Sequence, residues 1–352
     1  MPRVVIVDDS NIMRQLLARV LSQESNIEVI ATAPDPNTAR RVIRELSPDV
    51  ITLDVEMPGM DGISFLKKIM TLRPMPVVMV STLTDRGTET ALSALELGAV
   101  DALPKPGGDL SLEAFGRALR SAVLAAARAK VTRASSPRAS IESGPKTRPK
   151  LITLGASTGG VAALSEVLKG LGGDAPPVVI AQHMPESYVP RFAARLAHSL
   201  TRDVAVARAG EVLSDGMIRI APGDAHLRVA LNAGRLITSL SNAPPVNGHV
   251  PSVDVLFDSV AQISATCAAA LLTGMGKDGA QGLLQLRQAG HRTIAQSEES
   301  CVVYGMPRAA AECGAAQTVA DLGQIPELLF TLCKDCTPMM SPRPTRQSAS
   351  HA

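Results

Sequence analysis

The first hundred residues alternate short apolar runs with stretches whose apolar positions recur every three or four residues. Residues 3–7, 49–53 and 76–80 read as buried strands, and residues 13–24 and 63–72 as amphipathic helices between them. Strands separated by helices fold as a parallel sheet covered on both faces. A longer Ala- and Leu-rich helix, about residues 112–129, closes this unit. The pattern then breaks: residues 128–150 are rich in Ser, Pro, Arg and Lys and read as a linker. A second alternation follows, with strands at 151–154, 178–181 and 268–272 and helices at 161–169 and 188–200. Turn-rich segments at 221–224 and 241–248 predict a β-hairpin excursion or active-site loops.

The expectation is therefore an α/β chain of two doubly wound parallel-sheet domains. Residues 1–127 form a flavodoxin-like unit and residues 151–336 a three-layer α/β unit, joined by the basic flexible linker 128–150 and followed by a disordered tail, 337–352. A length of 352 residues suits two such units.

Composition narrows the classes. With 45% hydrophobic and 19% charged residues, overall disorder is excluded. Aromatic residues make up 2% and Trp is absent, which argues against a stacking platform for single-stranded nucleic acid. The apolar runs are too short to span a bilayer and the N-terminus enters a strand-like run directly, so a cytoplasmic protein without membrane insertion is expected. The near-neutral total conceals a basic tether: residues 128–150 carry 7 basic side chains and 1 acidic one. Attraction to acidic partner surfaces should reside there and weaken with salt. All five cysteines lie in the last quarter, and an odd number fits reduced thiols. Cys333 and Cys336 form a lone C-x-x-C that would need two further ligands to hold zinc.

In the first unit, Asp8 and Asp9 follow one strand and Asp54 another. Side chains at the carboxyl ends of neighbouring parallel strands converge on one crevice. Three carboxylates in one place call for a hard cation, and an oxygen-only site suits Mg²⁺. Ser81 and Lys105 end later strands, offering a hydroxyl and an ammonium to a phosphoryl group. Helix capping accounts for one such Asp but not for the set. The segments Val7-Asp8-Asp9-Ser10, Leu53-Asp54-Val55-Glu56-Met57-Pro58-Gly59, Ser81 and Lys105-Pro106 resemble the response-regulator receiver family. That resemblance implies that Asp54 accepts a phosphoryl group from a histidine kinase, with Mg²⁺ held by Asp9 and Asp54 and Asp8 nearby. Ala102 stands where the family often carries an aromatic switch residue, so the conformational relay is expected to differ in detail.

The second unit opens with a strand, Gly155-Ala156-Ser157-Thr158-Gly159-Gly160, and a helix. This is the layout of a nucleophile elbow, although a phosphate-binding or merely tight glycine turn shares it. Of the six histidines, His183 alone ends a buried strand; His226, His249 and His291 are weaker candidates for a base. Asp278 follows the strand at 268–272 and could orient the imidazole. The order Ser, His, Asp is not that of common α/β-hydrolases, and oxyanion donors are expected from residues 274–276 and the elbow.

Together with Gln182-His183-Met184-Pro185, Ala221-Pro222-Gly223, Ser252-Val253-Asp254-Val255-Leu256-Phe257, Gly274-Met275-Gly276-Lys277-Asp278-Gly279-Ala280 and Tyr304-Gly305-Met306-Pro307, this unit resembles the chemotaxis protein-glutamate methylesterase and glutaminase family. The resemblance implies Ser157 as nucleophile, His183 as general base, Asp278 as its orienter and Met275 as a backbone oxyanion donor, with Thr158 supporting His183 by a hydrogen bond. It also implies methyl-accepting chemotaxis receptors as substrate, a chemotaxis histidine kinase as phosphodonor, no cofactor for ester hydrolysis, and a receiver that covers the site until it is phosphorylated. Two other classes compete. A non-enzymatic regulator lacks support for want of a basic recognition helix, and a nucleotide-dependent oxidoreductase for want of G-x-G-x-x-G.

Overall fold

The computed structural model describes residues 1–82, 84–107, 111–130 and 148–330. Most of the linker and all of the C-terminal tail, with Cys333 and Cys336, lie outside the described residues. In the first unit the chain runs β1 (Arg3–Val7), α1 (Asn11–Leu21), β2 (Glu28–Ala33), α2 (Pro36–Leu46), β3 (Val50–Asp54), α3 (Gly62–Leu72), β4 (Val77–Ser81), α4 (Asp85–Glu96), β5 (Asp101–Pro104) and α5 (Leu112–Ala126). The strands are all parallel in the order β2-β1-β3-β4-β5. The three central strands are apolar nearly throughout because helices cover both faces: α2, α3 and α4 on one, α1 and α5 on the other. β3 and β4 each run one residue past their apolar stretch, since Asp54 pairs with Val80 and Ser81 with Pro104. The polar ends of the strands are thus held inside the sheet. α1 begins at Asn11, earlier than periodicity predicts, because the Ser10 hydroxyl accepts the Met13 N–H and caps it.

The second unit runs β6 (Leu151–Ala156), α6 (Gly160–Gly170), β7 (Val178–Gln182), α7 (Val189–Ser199), β8 (Asp203–Val206), β9 (Met217–Ile220), β10 (His226–Asn232), β11 (Arg235–Ser241), α8 (Val253–Ala261), β12 (Cys267–Leu271), α9 (Ala280–Gln288), β13 (Arg292–Gln296), α10 (Met306–Glu312), β14 (Thr318–Ala320) and α11 (Ile325–Leu328). Seven strands form a parallel sheet in the order β14-β13-β12-β6-β7-β9-β8. α6, α7 and α11 pack on one face and α8, α9 and α10 on the other, which makes the three layers. β10 and β11 pair with each other, antiparallel, as a hairpin outside the seven-stranded sheet, and Ile237 of β11 also bridges Val212. Both turn-rich segments therefore serve as expected, the first leading into this hairpin and the second leaving it as a loop beside the site.

β6 lies between β7 and β12, so the residues after these three strands meet at one crevice. The apolar packing does not stop at the domain boundary. α4 lies against α6 and α7, and Met275, Val302 and Val303 pack into the core beneath α5. Both described ends of the linker are tied down: the Lys130 N–H donates to Val302 O at 3.0 Å, and Arg148 pairs with Asp215 at 3.0 Å. Among the described residues no helix is long and apolar enough to cross a membrane, and Cys267, Cys301 and Cys313 are free thiols.

Candidate active site

The chain leaves β6 through Ser157, Thr158 and Gly159, the last at φ +79°, and enters α6 at Gly160. Only glycine fits at Gly160, since a Cβ there would lie 2.0 Å from Gln182 Oε1. Gln182 in turn pins the elbow: its Nε2 donates to the carbonyls of Ser157 and His183, each at 2.9 Å. His183 follows β7, and its Nε2 lies 2.9 Å from Asp278 Oδ2, beyond β12. Asp278 is almost fully buried and also accepts from Ser252 Oγ at 2.8 Å, Val253 N at 2.6 Å and Asn247 Nδ2 at 3.0 Å. Burial alone would push its carboxyl up, but the bonds from His183, Asn247 and Val253 prevail and hold it well below the usual carboxylate range. An ionised carboxylate only accepts, so Nε2 carries the imidazole proton. That leaves Nδ1, buried and without a hydrogen-bond partner, as the basic ring atom. No hydrogen bond joins it to Ser157 in this arrangement, as is common before substrate binds.

Two of the expected oxyanion donors are already engaged. The Ser157 N–H donates to Thr273 O and the Gly274 N–H to Val303 O, both at 3.0 Å. The Met275 and Gly276 amides have no protein acceptor among the described residues, nor do those of Thr158 and Gly159 in the elbow, and these remain to meet a developing oxyanion.

Ser157 and His183 line a cavity of about 420 Å³ whose other wall is the first domain, through Val100, Asp101, Leu103 and Ser121. Ala102 also lines it, in the place of a larger switch side chain. The Thr158 hydroxyl is not on His183, as expected from the resemblance, but donates to Asp101 Oδ2 at 3.4 Å. The reason is tertiary, because β5 of the other domain brings a stronger acceptor to the elbow. Ser121 Oγ donates to Met275 Sδ at 3.7 Å. At the rim, Arg195 of α7 grips α4, bonding Glu89, Glu96 and, at 3.0 Å, Ser93 Oγ.

Burial pushes the Asp101 carboxyl up to about 6, against the lowering effect of the Ala102 N–H and the Thr158 hydroxyl. The second domain adds to that burial at the shared cavity, so parting should lower the pKa and the docked form binds the proton more readily. Docking is then strongest below pH ~4 and weakens as pH rises through about 6. Energy transfer between dyes on the two domains should follow this trend, and in Asp101→Asn it should be flat across that window. A wild-type signal flat over the same range would refute the assignment.

In the first domain Asp8 and Asp54 are buried and Asp9 is exposed, and carboxylate oxygens of all three lie within 4.8 Å of one another. Lys105 Nζ sits 2.9 Å from Asp8 and 2.7 Å from Asp54. Burial drives the Asp54 carboxyl up to about 6, with Lys105 opposing and Asp8 assisting. Three hard oxygen donors converging beside one exposed edge fit Mg²⁺. Ser81 bonds elsewhere in this form: its hydroxyl donates to Gly87 O of α4 at 3.3 Å.

Residues 152–329 match the family model of CheB methylesterase, and residues 4–115 that of the response regulator receiver domain. The chain belongs to the CheB methylesterase family. A protein-glutamate methylesterase/protein-glutamine glutaminase of Dechloromonas aromatica is 46% identical over 92% of this chain and 96% of its own length. One from Salmonella typhi is 47% identical, covering 93% and 96%. The crystal structure of the Thermotoga maritima CheB methylesterase catalytic domain superposes with a TM-score of 0.50 and 35% identity, covering 52% of this chain and 98% of that one. The family is enzymatic, so the non-enzymatic regulator and the oxidoreductase are both set aside.

In this methylesterase the residues that sequence reasoning left without a role are those that hold Asp278. Ser252 and Val253 open the Ser252–Phe257 run, which was legible as a motif but not as a set of donors to a distant carboxylate. Asn247 belongs to an Asn-Gly pair, the strongest short hairpin-turn signal. Asp101 carried no signal, because its partner is in the other domain.

Proposed function

We propose that this enzyme hydrolyses glutamyl methyl esters, and deamidates selected glutamines, on the cytoplasmic helices of methyl-accepting chemotaxis receptors, giving sensory adaptation under the control of Asp54 phosphorylation. One observation carries the reading: the cavity holding Ser157 and His183 is closed by the receiver domain itself. Ser157 Oγ attacks the γ-carbonyl while His183 Nδ1 takes its proton, and the Met275 N–H receives the oxyanion. The proton then passes from His183 to the leaving methanol or ammonia. Water, deprotonated by the same nitrogen, releases the glutamate and restores Ser157. Asp278 keeps the imidazole in the required tautomer and offsets its charge. No cofactor enters the ester chemistry.

A histidine kinase supplies the phosphoryl group to Asp54 in the cytoplasm. Asp8, Asp9 and Asp54 would hold Mg²⁺, which offsets phosphoryl charge during transfer. Lys105, bonded to Asp8 and Asp54, and Ser81, bonded to α4, are the residues placed to respond. Drawing the Ser81 hydroxyl toward a phosphoryl group takes it off Gly87 O, and α4 carries Glu89, Ser93 and Glu96, the partners of Arg195. Phosphorylation thereby loosens the helix that clamps the catalytic domain.

Methanol release from methylated receptors, with and without a small phosphodonor, tests this reading. Stimulation is expected in the wild type and none in Asp54→Asn; equal rates throughout would refute the regulation. Arg195→Glu sets three acids against one another at the rim, and a loss of about 1 kcal/mol of docking should raise basal release roughly fivefold. An unchanged basal rate would show that the clamp does not hold the domains together.

A further inference from the structure

We propose that His249 is a positioning residue for hydrolysis, its ring a platform that, with the neighbouring Asn247, holds the His183–Asp278 pair in the orientation from which His183 serves Ser157. This rests on the reading of Ser157 and His183 as the hydrolytic pair. The rings of His249 and His183 lie face to face, centroids 3.8 Å apart and planes 7° from parallel. The bond from Nε2 to Asp278 fixes one point of the His183 ring, which can still tilt about that contact and about its Cβ–Cγ bond. A second ring lying flat against it removes that freedom, and with it the error in where Nδ1 is presented.

The platform is itself held. Val246 and His249 exchange backbone hydrogen bonds of 3.2 and 3.0 Å across Asn247 and Gly248, whose φ values of +52° and +82° make a two-residue hairpin turn. Beneath it the fully buried His226 ties both sides of the loop, accepting from Ser252 N at 3.1 Å and facing Pro244 O at 3.2 Å. The same turn sends Asn247 Nδ2 to Asp278 at 3.0 Å and to Asp254 at 2.7 Å. One turn thus touches both members of the pair, the carboxylate through Asn247 and the imidazole through His249. Burial lowers the His249 ring to about 4, with the charge on His183 acting in the same sense and Asp278 opposing. A neutral His249 does not compete for the Ser157 proton, and its ring face is a favourable neighbour when His183 becomes a cation.

The experiment compares His249→Ala and His249→Phe with wild type in the full chain, activated with acetyl phosphate. Methanol release is followed at varied concentrations of methylated receptor membranes, and nitrogen-detected NMR follows the His183 imidazole. His249→Ala is expected to lose roughly 10- to 100-fold in kcat with KM within about twofold, the signature of misplacement at the reacting centre. His249→Phe, keeping a flat ring, should recover to within about threefold of wild type. The His183 Nε2–H signal, kept by Asp278 in every variant, should be sharp in wild type and the Phe variant and broadened in the Ala variant, where the ring is free to tilt. Unchanged kcat together with an equally sharp signal in His249→Ala would overturn the platform. So would a Phe variant as slow as the Ala variant, which would make a His249 nitrogen the acting group. A parallel Ser157→Ala separates the two readings: if it hydrolyses normally the nucleophile is wrong, while the NMR comparison still decides the platform.

Discussion

Ser157→Ala is expected to reduce methanol release by about 10⁴-fold or more, since in the proposed mechanism it removes the nucleophile and the acyl-enzyme route and leaves only binding and oxyanion donors. The fold should not notice the change. The Ser157 backbone makes the elbow contacts, its N–H to Thr273 O and its carbonyl to Gly160 N and Gln182 Nε2, and alanine keeps all of them. Phosphorylation at Asp54 should be unaffected, because the acidic pocket shares no residue with the elbow. Methanol release near the wild-type rate would place the nucleophile elsewhere.

Asp278→Asn is expected to be nearly as damaging to rate, about 10³- to 10⁴-fold, and unlike Ser157→Ala it should also destabilise the domain. An Asn amide meets His183 Nε2 or Asn247 with a second donor where only an acceptor fits, so the imidazole loses its tautomer or the loop loses its bond. The carboxylate also draws in Ser252 Oγ and Val253 N at the start of α8, bonds to a charged acceptor in a buried place. Removing the charge should lower unfolding free energy by about 2 kcal/mol, read as a drop in the urea midpoint at constant slope. In the proposed mechanism Asp278 and Ser157 act through His183, so the double variant should be little slower than Ser157→Ala. Multiplicative losses would mean that the two act independently.

The sites were unequally legible. Ser157, His183 and Asp278 each follow an apolar strand, and the rule that parallel strands deliver their carboxyl-end residues to one crevice was enough to bring them together. Asp8, Asp54 and Lys105 were readable for the same reason. Thr158 was not: the family resemblance implied a bond to His183, and an acceptor 57 residues away in the other domain took the hydroxyl instead. The oxyanion donors could be narrowed only once the bonds from Ser157 N and Gly274 N were seen, since a backbone N–H has no sequence signature of being free.

The amino-acid pattern by itself determined the two parallel-sheet domains, their order, and the residue types at the strand ends, because period and strand-end chemistry are local properties of the chain. Tertiary structure alone decided which imidazole nitrogen is basic, which loop holds the His183–Asp278 pair, and that the receiver closes the catalytic cavity through Asp101, Ser121 and the Arg195 clamp. Those are contacts between segments 25 to more than 150 residues apart. Nothing local in a sequence encodes which distant surface will be its neighbour.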